Sequence, residues 1–201
     1  ERTGLINPIT DWVMGEALRQ CRAWRAAGLR LRVAVNMAGR SFQQPDLVDK
    51  ILDLLLSVGT LPECLEIEIT ENVLMADIEH GAQILRRLND AGITITIDDY
   101  GTGHSSLAYL KKLPLHTLKI DKSFVLDMAR DENDAVIVRS TVDLAHNLGY
   151  RVVAEGVEDE ETLELLGVLG CDSIQGYFLR EPENISKINQ WFKECPWAVG
   201  R

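Results

Sequence analysis

Several things are missing or scarce in this 201-residue chain, and each removes a class of protein. No uninterrupted apolar run is long enough to cross a bilayer, and no charged-then-apolar leader opens the sequence, so a cytoplasmic chain without a membrane segment is expected. The four cysteines, Cys21, Cys64, Cys171 and Cys195, form no C-x-x-C pair and no cluster with histidine. Reduced, mostly buried thiols are expected in place of a disulfide framework or a zinc site. Basic side chains are outnumbered, 21 Lys and Arg against 31 Asp and Glu, giving a formal net charge of −10. Binding to DNA depends on basic side chains that displace counterions from the phosphate backbone, and this chain lacks that surplus. Low-complexity segments, linkers and repeats are also absent, and 46% hydrophobic content suffices for one core, so a single domain over 1–201 is expected.

What the chain does have is a recurring local pattern. The apolar run at 93–97 ends in two adjacent carboxylates, Asp98 and Asp99, followed at once by Tyr100-Gly101-Thr102-Gly103. Neighbouring carboxylates repel and resist desolvation unless a cation or a hydrogen-bond network offsets the cost. A solvated Asp-Asp turn capping the next helix is the simpler alternative. The same ending recurs, however: 31–35 leads to Asn36, 65–70 carries Glu68, 117–118 leads to Lys119, 151–154 to Glu155 and 172–174 to Gln175.

Helical spacing of apolar residues predicts helices over 8–27, 45–58, 78–91, 105–113, 133–148, 160–169 and 185–193. In the first, Ile9, Trp12, Val13, Ala17, Leu18, Cys21 and Trp24 form the expected buried stripe. Gly92, Gly149 and Gly170 fall where left-handed caps would stop the preceding helices. Strands alternating with helices predict a parallel sheet, and short β-branched strands fit a sheet covered on both faces. Six such βα units read as an α/β, TIM-like (βα) barrel, in which all strand ends gather on one rim. Asp, Glu and Asn at that rim are hard oxygen ligands suited to magnesium or manganese, and an anionic ligand would enter an acidic site bridged by such cations.

The segments VNMAGRSF (35–42), LEIEITEN (65–72), IDDYGTGHSSLAYLKKLPLHTLKIDKSFV (97–125), VVAEGVE (152–158) and GCDSIQGY (170–177) resemble the EAL-domain cyclic di-GMP phosphodiesterases, in order and over nearly the whole chain. The resemblance implies hydrolysis of cyclic di-GMP to linear pGpG, using a two-ion site of Mg2+ or Mn2+. It implies that Asn36, Glu68 and Asp98 ligate one ion, that Asp98 and Asp99 reach toward a second, and that Glu155 lies close to it. Two ions roughly 3.5–4 Å apart would hold the phosphodiester and activate a bridging water. Lys119 matches the family lysine that orients this water, Glu71 the acid that holds the loop after Asp98, and Gln175 and Glu158 supporting positions. Tyr177 belongs to the same string and is expected at the substrate. A homodimer and an upstream sensor or diguanylate-cyclase domain are further family-level expectations.

Each residue also has a plainer reading. Asn36 would cap a turn, Lys119 would be a surface lysine beside Asp121, Glu66 would be a paired interior acid, and Gly101 and Gly103 would make either an anion-binding nest or a tight turn. The four histidines, His80, His104, His116 and His146, show no ligand spacing, and the tryptophans Trp12, Trp24, Trp191 and Trp197 read as helix packing. His104, Tyr100, Leu179 and Arg180 depart from the family pattern. The family's Glu-Ala-Leu strand is not found: Glu16-Ala17-Leu18 lies inside the first helix and is assigned no catalytic role. With six strands of an expected eight and no initiator methionine, the chain is expected to be a piece of a longer polypeptide, inactive by itself. Completion of the barrel by strand exchange with a second copy is the alternative. Two rival functions are a catalytically impaired cyclic di-GMP receptor or docking module, and an unrelated barrel enzyme acting on phosphorylated sugars.

Overall fold

In a computed structural model of the chain, residues 6–103 and 110–195 are described. The sheet is built from the alternation that the sequence shows, strand by strand. In β2 (Leu65–Thr70), Leu65, Ile67 and Ile69 are fully buried on one face, while Glu66 and Glu68 point to the other. The flanking strands β1 (Val33–Asn36) and β3 (Thr94–Tyr100) pair with it in parallel, with Val35 opposite Ile67 and Ile67 opposite Ile95. β4 (Thr117–Ile120), β5 (Arg151–Glu155) and β6 (Ser173–Gln175) continue the sheet in the order of the chain, all parallel. Sequential order with helices between the strands is the topology of a (βα) barrel, curled but open between β6 and β1 among the described residues.

The apolar face of this sheet meets the helices. α1 (Ile6–Ala26) packs on β1, α3 (Leu47–Val58) and α5 (Ile78–Asp90) lie beside it, and α7 (Glu132–Asn147) and α8 (Glu160–Val168) cover the far half. Leu18, Leu65, Ile67, Ile95, Leu88, Leu118 and Val152 are fully buried between the layers. Each such side chain contributes about 1.5–3 kcal/mol by leaving water. Short helices α2 (Gly39–Phe42), α4 (Glu71–Ala76) and α6 (Lys122–Val125) follow β1, β2 and β4 directly, and α9 (Ile185–Glu194) ends the described chain. The expected helix at 105–113 lies almost wholly outside the described residues. Gly92, Gly149 and Gly170 have φ of +86°, +83° and +78°, the left-handed stops expected from the sequence.

Two expectations need correction. The stripe expected on the first helix is rotated: Thr10, Met14, Leu18 and Cys21 are buried, whereas Trp12 is 64% exposed and Ile9 and Val13 are also outside. Thr10 can be buried because its hydroxyl donates to the Ile6 carbonyl at 2.9 Å, which a count of apolar residues does not see. The sheet, expected to be covered on both faces, is covered by helices on its outer face only; its inner face is polar, buried in the middle strands and exposed at Ala34, Asn36, Ser173 and Gln175. Thr96, Thr117 and Lys119 are buried there, and Thr96 donates to Glu66 at 2.6 Å.

Replacing fully buried Leu118 with Ala should lower unfolding free energy by about 2–5 kcal/mol in urea titrations, because the neighbouring layers cannot close the cavity. Val168→Ala, at a side chain 84% exposed, should change it by less than about 0.5 kcal/mol.

Candidate metal centre

Strand register brings the rim residues together. Asn36 is opposite Glu68, Glu68 opposite Thr96, Thr70 opposite Asp98, and Glu155 opposite Gln175. With a side-chain period of two, the inner face therefore presents Asn36, Glu68, Asp98, Lys119, Glu155 and Gln175. Glu66 lies one step deeper. It is held by Thr96 and by Arg32 at 3.5 Å, which makes it an interior paired acid.

Lys119 is the hub of this rim. Its Nζ lies 3.0 Å from Glu68 Oε1, 3.1 Å from Asp98 Oδ1 and 2.5 Å from Glu155 Oε1, and its side chain is 4% exposed. It is not the surface lysine of the plainer reading. Burial alone would push its pKa down, but the hydrogen bond to Glu155 and the charges of Glu68, Asp98 and Glu155 outweigh that, and the net direction is up. Glu68 and Glu155 are both pushed above the usual carboxylate value, first by burial; the Lys119 ammonium pulls them part of the way back.

Adjacent strand residues ordinarily point to opposite faces, so two consecutive aspartates cannot both serve one site without a break in the strand. The break is present. Pairing between β3 and β4 shifts register between Ile97 and Tyr100, and Asp99 takes φ +55°, the one left-handed non-glycine residue among those described. Aspartate tolerates this conformation better than most residues. The kink is held locally: Asp98 Oδ1 accepts from the Asp99 N–H at 3.1 Å, and the Thr102 hydroxyl donates to the Asp99 carbonyl at 2.9 Å. Carboxylate oxygens of Asp98, Asp99 and Glu155 then all lie within 4.8 Å of one another. Asp99 is pushed above its usual pKa by burial, by Asp98 and by Asp121.

Asp121 is the residue that sequence reasoning passed over. It caps α6 by accepting from the Ser123 N–H at 2.9 Å and shares a hydrogen bond with Asp99. Its position two residues after Lys119, at the end of the same strand, was the available signal.

The turn after the aspartates is clamped from β2. Glu71, the first residue of α4, is buried and accepts from the Gly101 N–H at 3.4 Å. A Cβ on Gly103 would lie 2.5 Å from Glu71 Oε1, so only glycine fits. That N–H is committed to a carboxylate, which removes it from an anion-binding nest. Glu71 Oε1 has no hydrogen-bond partner among the described residues.

Three acids converging on one point, with burial raising the pKa of Asp99 and Glu155 and a single ammonium offsetting them, form a donor set that a divalent cation fits. Asn36 is exposed at the end of β1. Glu158, Gln175 and Tyr177 are exposed on the turns after β5 and β6. Glu16 pairs with Arg19 and stays half exposed on α1, outside the acidic cluster. His116 accepts from the Ile95 N–H through Nδ1, and His146 pairs with Asp172 at 2.9 Å; His104 and Trp197 lie outside the described residues.

Fold and rim together define a (βα)-barrel protein with an acidic, cation-ready centre at the C-terminal ends of its strands. The EAL domain family model matches residues 1–182, and the chain belongs to that family. It is 42% identical over 196 residues to the signaling protein YkoW of Bacillus subtilis, covering 98% of this chain and 24% of that protein. It is 44% identical over 183 residues to the bifunctional diguanylate cyclase/cyclic di-GMP phosphodiesterase MucR of Pseudomonas aeruginosa, covering 90% of this chain and 27% of that protein. The solved structure of the PaMucR phosphodiesterase in complex with c-di-GMP is 42% identical, with a TM-score of 0.91 over 93% of this chain and 76% of that one. The chain thus spans about a quarter of the length of these two curated relatives.

Lys119→Met would leave buried acids without their counter-charge, at a cost of about 3–5 kcal/mol. Folding raises the lysine pKa, so its contribution is complete below the ordinary lysine value and is lost only as pH rises above it. In the variant the acids must be neutralised another way. Its melting temperature should climb as the pH is lowered from about 8 to about 5, and it should rise more than that of the parent on adding millimolar Mg2+ or Mn2+.

Proposed function

We propose that the protein carrying this chain hydrolyses cyclic di-GMP to linear pGpG, with magnesium or manganese at the rim. The observation that carries this reading is the clustering of Glu68, Asp98 and Glu155 around one buried lysine, with Asp99 turned toward the same point. The names of the relatives support the substrate.

Asn36, Glu68, Asp98, Asp99 and Glu155 would hold the cations. When bound, these supply Lewis-acid charge to the phosphoryl oxygens and lower the pKa of a bound water. The residues of the chain do the rest. The Lys119 ammonium gives its three N–H donors to Glu68, Asp98 and Glu155; once cations take up those acids, it would be free to orient the attacking water and donate to the charge that builds on phosphorus-bound oxygen. A water oxygen bonds to phosphorus and the P–O3′ bond breaks, leaving a 5′-phosphate on one guanosine and a 3′-hydroxyl on the other. Gln175, Tyr177 and Asp99 contact the dinucleotide, Glu158 supports them, and Glu71 holds the turn that positions Asp98 and Asp99. The acidic rim also accounts for a chain of net charge −10 acting on an anion: positive charge enters with the cations.

As the substrate is a second messenger, the reaction belongs in the cytoplasm. No described helix is long and apolar enough to cross a membrane. An adjoining sensor or diguanylate-cyclase module is supported by the length and name of MucR, and the expected assembly is a homodimer. Activity is expected from a longer protein and not from these 201 residues alone, because among the described residues the rim is open between β6 and β1.

Full-length protein incubated with cyclic di-GMP and either metal should release pGpG, and Asp98→Asn should lower kcat/KM by about a hundredfold or more. Absence of pGpG at high enzyme concentration with both metals would overturn this function.

A further inference from the structure

The turn after the aspartate pair hangs on a carboxylate that is only half satisfied. Glu71 is 2% exposed, and its Oε2 accepts from the Gly101 N–H at 3.4 Å, a long bond. Its Oε1 is buried and accepts from no described residue, although Gly103 lies so close that a Cβ there would stand 2.5 Å from it. A carboxylate oxygen left buried without a donor costs more than an ordinary hydrogen bond contributes, so a donor within reach is expected to serve it.

Tyr100 brings a donor to this point. It is the residue at which β3 resumes pairing with β4, opposite Ile120, after the register shift beyond Ile97. Its ring is half-buried against the core. Its backbone stands between Asp99, in the left-handed conformation, and Gly101, whose N–H already meets Glu71. On the far side the turn is closed by Phe124, which a Cβ on Gly101 would approach to 3.0 Å. The Tyr100 phenol is pushed above its usual pKa first by burial and then by the negative charge of Glu71, so hydroxyl and carboxylate lie in each other's field. Tyr100 is also a position at which this chain departs from the family pattern, and its hydroxyl belongs to this chain in particular.

We propose that Tyr100 is a positioning residue for the metal centre: its hydroxyl donates to Glu71 Oε1 and locks the turn that aims Asp98 and Asp99 at one point. The inference rests on the proposed cation-dependent reading and goes beyond it, naming a side chain that touches neither cation nor substrate. The terminal torsion of a glutamate lies in a broad well, so the second oxygen can meet the phenol with the backbone left as it stands. With Oε2 on the backbone of Gly101 and Oε1 on the side chain of Tyr100, Glu71 grips two consecutive residues of the turn. A hydrogen bond to a carboxylate is about twice as strong as one between neutral groups. Asp99 directly precedes the gripped pair, and its left-handed backbone persists only where the surroundings enforce it.

The test uses full-length protein, Tyr100→Phe, Glu71→Ala and the double variant, because phenylalanine keeps the ring and removes only the donor. Mn2+ binding is read by calorimetry, turnover by pGpG release, folding by thermal melts, and the turn itself by amide hydrogen exchange at Gly101 in metal-free protein. Tyr100→Phe should keep a cooperative melt, speed exchange at Gly101, weaken Mn2+ binding roughly tenfold and lower kcat with little change in KM. In the Glu71→Ala background the same substitution should change neither affinity nor exchange further, since its partner is gone. Unchanged Mn2+ affinity or unchanged exchange in Tyr100→Phe would overturn the inference, as would equal losses with and without Glu71. If Glu71→Ala does not fold, affinity and exchange in Tyr100→Phe decide by themselves. Wild-type protein that binds Mn2+ without making pGpG would overturn the hydrolytic function alone, and the Mn2+ affinities then still decide the role of Tyr100. A wild type that binds no Mn2+ would overturn both.

Discussion

A single buried ammonium organises this protein. Lys119 sits inside a parallel sheet among three carboxylates, Glu68, Asp98 and Glu155, drawn from three different strands. None of these charges would be tolerable there without the others, since desolvation of an isolated ion costs several kcal/mol that only close partners recover. The strands are thereby tied at their C-terminal ends by electrostatics as well as by backbone pairing. Register errors of one residue would swing every one of these side chains into the apolar layer beneath the helices. The polar hub and the apolar layer thus specify the same alignment from opposite faces of the sheet.

The second constraint is the irregularity at Asp99. A regular strand would send Asp98 inward and Asp99 outward, so a site with both needs the register shift toward β4 and the left-handed backbone that the structure shows. Such conformations cost of order 1–3 kcal/mol and persist where the surroundings enforce them. Here the enforcement comes from Thr102, from the Asp98 carboxylate and from Glu71, all engaging the backbone of one short turn. The strain lies where cations and substrate would meet.

Much of this was legible in the sequence, and what was not has identifiable causes. The six strands, their parallel order and the glycine stops stand in the structure as read, and Asn36, Glu155 and Gln175 close their strands, whereas β2, β3 and β4 run on past Glu68, Asp98 and Lys119 to Thr70, Tyr100 and Ile120. The buried face of α1 was misread because hydrophobicity ranks Trp12 above Thr10, whereas position on the helix and a hydroxyl bonded to its own backbone decide burial. The polar inner face was hidden by the β-branched threonines, which suit strands in any environment. Register shifts and left-handed turns at non-glycine residues have no local signature, so the convergence of Asp98 and Asp99 with Glu155 could be expected only from resemblance. Asp121 was missed for the opposite reason: a helix-capping aspartate is so ordinary that its second role beside Asp99 is masked by its first.

The approach of Gly103 to Glu71 has a bearing on how such a sequence can drift. Because the carboxylate occupies the volume a methyl would need, the two positions behave as one heritable character, and neither can change alone without disturbing the turn between them. Glu71 follows Glu68 by three residues, across the junction of β2 and α4, so a lineage that relaxed this pairing would loosen Glu68 on one strand and the aspartate pair on the next at one stroke. Under the proposed function, loss of catalysis would therefore begin as readily at Gly103 as at the acids that would hold the cations.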